Sequence, residues 1–495
     1  MSDGEFHYDV LIVGGGNAAC SAAHAALEKT QSVAIIEKAP LRDRGGNSAM
    51  TGHIRFVFNG IEDLRPLVRN MSDDDLRKLL DGGLPHRTEA EIWDELMRVT
   101  NNQADEELLQ VHVTESLNTV QWLASKGHDW VPASLTNDNV LTMNGGGAGL
   151  QKRNFEILER TGCAFHYETA ATELLEDRTG RVTGARALTP GGYVNFYAKA
   201  VILACGGFEA NAEMRARYLG PGWDSVHVRG VPFNTGDGLR MAMNIGALPH
   251  GSWSTCHASP QDIALPKFTV PSVHVHGDSL NRYMYPYGIL VNMKGERFID
   301  EVYDTRGRTY ASMGRAIMAQ PGGVAIQILD AKIRERELYT SNYRKATTAR
   351  ADTLEKLATE LELPVEAFVK TVREFNAAVQ PGHYNPDRHT LDGKATRGIF
   401  PPKSNYALEI DKPPFEAWPV RCGITFTFGG LKIEATTGQV QHVAGRPIPG
   451  LYAAGEMVGG LFVGAYASGA GMMSGATFGR VAGNAASAAA IIHAL

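Results

Sequence analysis

The chain is short of cysteine, of net positive charge and of long hydrophobic runs, and each shortage removes a class of function. Its 495 residues include five cysteines, Cys20, Cys163, Cys205, Cys256 and Cys422. No two stand in a Cys-x-x-Cys pair, which argues against a structural zinc site or an iron–sulfur cluster, so no metal site is expected. An odd, scattered set of thiols fits a reducing, cytoplasmic setting. With 48 Lys and Arg against 54 Asp and Glu, the formal net charge is -6. Nothing in that balance draws the whole molecule to nucleic acid or to an anionic membrane. The apolar stretch 485–495 is too short to span a bilayer and reads as a packed helix, so no transmembrane segment is expected. The opening residues are acidic (Asp3, Glu5, Asp9) and lead straight into a strand, which predicts no signal peptide. No internal repeat or low-complexity tract stands out.

Glycine is plentiful instead, at 54 residues. Such an excess serves tight turns and places where backbone must approach a large buried group. Hydrophobic residues make up 43% and charged residues 21%, ordinary values for a soluble chain with a full core.

The first informative pattern is local. Tyr8 to Val13 reads as a strand, Gly14-Gly15-Gly16-Asn17-Ala18-Ala19 as a turn into an alanine-rich helix, and Ser32 to Ile36 as a second strand. Gly14-x-Gly16-x-x-Ala19 has dinucleotide spacing: Gly14 for the turn, Gly16 for close approach of a pyrophosphate, and a small third residue for helix–strand packing. The pyrophosphate would sit where unpaired N–H groups begin the helix at Asn17 and Ala18. Glu37, about twenty residues on and followed by Lys38, stands where ribose hydroxyls need an acceptor. A phosphate on that ribose would be repelled by the carboxylate.

Two further runs extend the pattern. Arg44-Gly45-Gly46-Asn47-Ser48 offers small residues against which a flat ring can lie, with Asn47 or Ser48 at its edge. Near the other end of the chain, Leu451 to Ala454 reads as a strand running into Gly455-Glu456. Ser468-Gly469-Ala470-Gly471 then opens a last helix.

These segments carry a family resemblance. "DVLIVGGGNAA", "IIEKAPLRDRGGNS", "VILACGGFEAN", "NTGDGLRMA", "LYAAGEMVGG" and "SGATFGRVAG" resemble the FAD-binding domain of the fumarate reductase and succinate dehydrogenase flavoprotein superfamily, over nearly the whole chain. The resemblance implies an α/β Rossmann-type FAD-binding domain with an inserted α+β capping domain. It places Ala171 at the adenine, Ala204, Cys205 and Gly206 on the pyrophosphate side, Asp237 near the isoalloxazine and Glu456 at the ribityl chain. The N-terminus of the last helix would face the flavin pyrimidine. Where membrane-bound members link FAD to a histidine, this chain has Asn47, so non-covalent FAD is expected.

Within the superfamily, "WSTCHASP" (253–260), "YPYGILVNMKGERFIDE" (285–301), "DTRGRTYASMGRAI" (304–317), "GITFTFGGLKI" (423–433) and "GGLFVGAYASGAGMMSGATFGR" (459–480) resemble the FAD-dependent tricarballylate dehydrogenases. Ala467-Ser468-Gly469 departs from the proline-glycine-glycine of that branch. The arginine and histidine pair that hold fumarate in the fumarate reductases are absent: Gly464 to Gly469 and Thr425 to Gly430 stand in their places. The expected reaction is therefore dehydrogenation of a carbon–carbon single bond in a small carboxylated, tricarballylate-like substrate, with a proton lost to a base and hydride to flavin N5. The alternatives are a 3-ketosteroid 1,2-dehydrogenase, whose tyrosine-glycine motif is similar, and a flavin-dependent enoate reductase.

A carboxylate calls for guanidinium groups, because the two fit bidentately. Arg306 and Arg308, beside Thr309 and Tyr310, are the candidates, with Arg282 behind them. Tyr466 is the candidate donor to a substrate carbonyl, His257 the candidate for substrate contact or proton transfer, and Thr425 a weaker one. Arg306 could equally join an ion-pair network with Asp300, Glu301 or Asp304, and His257 could equally be a structural histidine. With no haem or cluster motif in the chain, a separate electron-transfer partner is expected. The expected division is 1–250 with 422–495 for the FAD-binding domain and 251–421 for the cap, with the active site between them.

Overall fold

The computed structural model describes residues 5–68, 71–81, 86–133, 141–272, 280–336, 338, 343, 346–386 and 390–492. His274 and His276, which colour the polar middle of the sequence, lie outside these residues.

The main sheet is built on parallel strands from distant parts of the chain. Its path runs Gln439–Gln441, Pro447–Ala453, Gly192–Leu203, Glu5–Val13, Val33–Ile36, Ala164–His166. Three core strands of the motif region are parallel, with Val10 to Val13 flanked by Val33 to Ile36 on one side and Ala200 to Leu203 on the other. Each is an unbroken apolar run, as strands covered on both faces must be. An antiparallel pair, Ala170–Glu176 and Val182–Thr189, joins the first half of Gly192–Leu203. The sequence suggests two strands there, at Tyr193–Tyr197 and Ala200–Ala204. They are one, because its first half pairs with the antiparallel hairpin and its second half with the parallel core.

Two helices close over this sheet. Asn17–Ala26 leaves the glycine turn, and Ala470–Ile492 packs along it. They approach closely because Gly475, Gly479 and Gly483 meet the first helix: a Cβ on Gly479 would lie 2.4 Å from the Ala18 carbonyl oxygen, and one on Gly483 2.3 Å from that of Ala22. Glycine every fourth residue falls on one helical face, and the first and last described helices are thereby packed together. The Asn17 amide also donates to the Met472 carbonyl at 2.8 Å.

A second sheet, mostly antiparallel, runs Pro249–Asp262, Phe415–Leu431, Val324–Leu329, Ile289–Asn292. Helix Arg306–Met318 lies on it, and Gly314 permits the contact, since a Cβ there would stand 2.5 Å from the Ala258 carbonyl carbon. Helices Leu354–Glu360 and Val365–Ala378 bury Leu357, Phe368, Val372 and Phe375 against its far side. The stretch 381–419 reads as proline-rich and irregular, yet its end begins the 17-residue strand Phe415–Leu431. That strand crosses residue 422 and carries backbone from the second sheet to the cavity. Among the described residues no helix is long and apolar enough to cross a membrane.

Candidate active site

The glycine turn shows what it was built to hold. Gly14 has φ +107°, and a Cβ on it would lie 2.5 Å from the Ala204 carbonyl oxygen; one on Gly15 would lie 2.6 Å from a Glu37 carboxylate oxygen. Gly16 is different. A Cβ there would meet only the Ser48 hydroxyl at 3.5 Å, so its side faces open space. The helix it begins has no side-chain cap; the Asn17 N–H reaches the Ser48 hydroxyl at 3.1 Å, and the end as a whole remains suited to an anion.

The space is a cavity of about 1230 Å³, counting its open mouth. One stretch of its wall is Glu37, Lys38, Thr169 and Ala171, the next Gly14 to Ala18 with Ala204 to Gly206, and the last Asn47, Ser48, Thr425, Phe426, Tyr466, Gly469 and Gly471. Glu37 is 8% exposed; one oxygen accepts from Ala39 N at 2.7 Å, and burial pushes its pKa up. Such a carboxylate gains from hydroxyl donors. At the edge, Lys38 pairs with Asp237 at 2.8 Å. A cavity walled by peptide N–H groups and small residues, with a buried acceptor toward one end and aromatic rings toward the other, fits FAD. Glu37, Asn17, Asn47, Ser48 and Glu456 are the polar side chains in position to hold it, with the backbone N–H of Ala18 beside them.

Several expected contacts belong elsewhere. Arg44 does not face the cavity: it pairs with Glu159 at 2.7 Å and lies over Phe155, an ion pair plus ring contact that no local pattern announces. Gly45, at φ +105°, shapes the turn and accepts from Gln151. Ala19, Gly455, Ser468 and Ala470 support the wall without lining it; Ser468 gives its carbonyl to Arg55 and its N–H to Gly307. Gly455 has φ +70° and packs on Ala18.

At the Tyr466 end Tyr310, His257 and Thr425 come together, whereas Arg306 is placed only by its helix and Arg308 turns elsewhere. The Tyr310 hydroxyl donates to that of Tyr466 at 3.0 Å. His257 sits edge-on to both rings, 5.0 Å from Tyr310 and 4.9 Å from Tyr466 between centroids. It is 1% exposed, and neither ring nitrogen has a hydrogen-bond partner. Burial, with Arg229 nearby, holds its pKa well below the ordinary value, so the ring is neutral. Burial and the neighbouring tyrosine hydroxyls push the Tyr310 phenol up, so it is protonated. Arg306 opens the helix that carries Tyr310, and at i, i+4 the two share a face. Arg308 pairs with Glu95 at 2.9 Å and Asp304 at 3.0 Å, because Glu95, 213 residues away, arrives through the fold. Arg282, held by Asp262 at 2.7 Å with both residues almost wholly buried, is likewise structural.

Four further residues, assigned no site role from sequence alone, belong here. Phe426, stacked on Tyr466 at 6.0 Å, and Tyr283, edge-on to Tyr310 at 5.4 Å, complete the aromatic wall. Arg229 reaches the Thr425 hydroxyl at 3.4 Å, and nothing in its local sequence marks it. Glu209 bonds Asn47 at 2.7 Å; it lies inside "VILACGGFEAN" and was legible there as an acid amid small residues.

A parallel sheet whose first glycine turn opens on a cavity lined by Glu37 and the helix N-terminus, with the last helix forming part of its wall, defines an FAD-dependent oxidoreductase. The FAD binding domain model matches residues 9–472. An NADH:acrylate oxidoreductase of Vibrio harveyi is 27% identical across 97% of this chain, which spans only 50% of that protein's length. A fumarate reductase (cytochrome) of Shewanella frigidimarina is 28% identical, over 97% of this chain and 76% of that one. The open conformation of a flavocytochrome c3 fumarate reductase has a TM-score of 0.73 at 25% identity, covering 98% of this chain and 79% of the other. A 3-ketosteroid-delta4-(5alpha)-dehydrogenase from Rhodococcus jostii shares the fold, with a TM-score of 0.72 at 23% identity over 98% of both chains. The chain belongs to the FAD binding domain family, within the fumarate reductase and succinate dehydrogenase flavoprotein superfamily.

Proposed function

We propose that this enzyme oxidises or reduces a carbon–carbon bond next to a carboxylate or carbonyl in a small molecule, at a site between the FAD-binding part (1–250 and 422–495) and the capping part (251–421). Bound FAD supplies a ring that exchanges hydride. The observation that carries the reading is the convergence of Tyr310, Tyr466 and an unpartnered, neutral His257 beside the Thr425–Phe426 wall of the cavity. The Tyr466 hydroxyl, which accepts from Tyr310, can donate its own proton to an oxygen on which negative charge develops. His257 can accept or donate once a substrate polar group reaches it, since a buried imidazole without partners gains from any it meets.

The first reading is a small carboxylic acid, tricarballylate-like in having a carboxylate beside the reacting bond. Arg306, on the face of Tyr310, and Arg229, at Thr425, are the proposed guanidinium contacts. The second is a ketone, favoured by the Tyr310–Tyr466 hydrogen bond and by similarity to a 3-oxosteroid 1-dehydrogenase of Mycobacterium tuberculosis, 29% identical over 61% of this chain. Asn47 supports non-covalent FAD: its amide donates to Glu209 and to the Thr425 carbonyl and accepts from Val231 N. Electrons are proposed to pass through a separate redox partner. All five cysteines are unpaired, which suits a reducing, cytoplasmic location.

Anaerobic flavin bleaching distinguishes the readings. The purified yellow enzyme is mixed with tricarballylate or with a 3-ketosteroid, and the chemically reduced enzyme with acrylate or fumarate. Bleaching by the tricarboxylate that weakens in Arg306→Ala supports the acid reading; bleaching by the steroid that depends on Tyr466 supports the ketone. Reoxidation by the unsaturated acids alone makes the enzyme a reductase. No response to any of them defeats the proposal.

A further inference from the structure

One side chain behind the flavin cavity touches both glycine turns. Gln151 lies on helix Gly146–Arg160, which seats on the second turn. The Gly147 N–H donates to the Thr51 carbonyl at 2.7 Å, and a side chain on Gly147 would collide with the Ser48 carbonyl. From there the Gln151 amide nitrogen reaches the Gly15 carbonyl at 3.1 Å and the Gly45 carbonyl at 3.2 Å. A side-chain amide has two N–H hydrogens, one for each carbonyl. Gln151 is 2% exposed and stands behind the cavity wall.

The amide is oriented from its other side. Asn154, one helical turn on, donates from Nδ2 to Gln151 Oε1 at 2.8 Å, and its Oδ1 lies 3.0 Å from His24 Nε2. Because the Gln151 nitrogen is spent on the carbonyls, its oxygen must accept. Asn154 Oδ1 is then left to accept from His24. All three side chains are buried, and each donates toward the glycine turns. The Cys20 thiol, 3.9 Å from the Gly15 carbonyl, adds only a weak donor.

The two carbonyls control the N–H groups that follow them. The Gly15–Gly16 and Gly45–Gly46 bonds are trans, and in a planar trans peptide the N–H points opposite to the C=O. Carbonyls held back by Gln151 therefore turn the N–H groups of Gly16 and Gly46 forward. Both glycines line the cavity, and a Cβ on Gly46 would come within 4.0 Å of the Gly16 Cα. Among the described residues neither N–H meets an acceptor.

We propose that Gln151 is a positioning residue for FAD: it ties the first glycine turn to the second and sets both peptide planes, so that the Gly16 and Gly46 N–H groups together face the cofactor's pyrophosphate. Glycine peptides rotate readily, and a clamp from behind does what these residues have no side chains to do.

The test reads the cofactor and not turnover. Gln151→Met keeps an unbranched chain that fills the same space and removes both donated hydrogens. The variant holoenzyme should release FAD at least about tenfold faster, as the loss of about one net hydrogen bond implies, followed by the fluorescence of the freed flavin. The phosphorus NMR resonances of its bound FAD should also move from their wild-type positions. Leu158→Ala removes buried packing about two helical turns beyond Gln151. It should melt lower than wild type, keep the wild-type phosphorus spectrum and release FAD within about threefold of wild type. Wild-type release and spectrum in Gln151→Met, or an equal spectral displacement in Leu158→Ala, overturns the proposal. A second measurement covers a variant that fails to fold. In wild-type holoenzyme, amide hydrogen exchange at residues 16 and 46 should wait for FAD to leave, and so match its release rate at both. Exchange at either residue that outruns release overturns the proposal.

Discussion

Two glycines two residues apart do opposite jobs. Gly14 is required by the protein itself, through its positive φ and its contact with Ala204; Gly16 leaves space for something else. Gly14→Ala should therefore lower the melting temperature, by a destabilisation of about 1–3 kcal/mol. Gly16→Val should melt close to the wild-type apoprotein and yet purify colourless. Thermal unfolding with flavin absorbance on the same samples checks both. Tyr466→Phe removes one member of the hydroxyl pair and leaves the ring stacked on Phe426. If that hydroxyl stabilises developing charge, the stopped-flow bleaching rate should fall about 10²–10³-fold while FAD content stays at wild type. The histidine between these tyrosines has no ionisation near neutrality, so a pH–rate profile should lack a His257 limb.

At the level of elements, one carboxylate ties helix Arg306–Met318 to distant segments of the chain. Glu95, 6% exposed, bonds Arg55, Arg87 and Arg308. Arg55 in turn holds the Ser468 carbonyl, and Arg308 stands at the start of the helix that carries Tyr310. Glu95→Gln leaves three guanidinium groups around a neutral amide and should cost about 3 kcal/mol, read from chemical denaturation. Hydrogen exchange should quicken first in 306–318. The arginines keep the Glu95 carboxyl below its usual pKa, so this contribution is present above the ordinary glutamate range and is lost as pH falls below it. Sequence alone shows this junction poorly. Arg308 has a visible partner in Asp304, one helical turn earlier, but Glu95 becomes its neighbour only in the folded chain. The strand Phe415–Leu431 was hidden for a similar reason. Pro419 reads as a breaker, yet it sits opposite Ile326 in the ladder, where pairing on both sides overrides propensity. The nucleotide turn was legible because its strand, glycines, helix and acid fall within thirty residues and each has one physical job. The Tyr310–His257–Tyr466 cluster was legible as a set of candidates, but their hydrogen bond and shared rings were not, since they come from three separate parts of the chain.

For the molecule as a whole, buried histidines set an acid limit. Burial lowers His24 and His112 to about 4 and His128 to about 3. Each is neutral when folded and takes up a proton once unfolded, at its ordinary value near 6.5. Their stabilisation is intact above that value. It is lost as pH falls from there toward 4, at up to about 1.4 kcal/mol per histidine per pH unit. The melting temperature should therefore drop between about pH 6 and about pH 5, before most carboxylates titrate. Replacing His128 by Gln should soften that slope.

The glycine face of the last helix bears on how the enzyme is made. Gly475 borders the cavity, and the helix that carries it seats on the first helix of the chain. A ribosome has therefore translated the glycine turn long before it reaches the part that completes the pocket, a delay on the order of a minute or less at typical elongation rates. Until then the turn has no back wall, and FAD has no closed pocket to enter. Cofactor capture must accordingly wait for residue 470 and the helix beyond it, and a ribosome stalled before codon 470 should hold a colourless product.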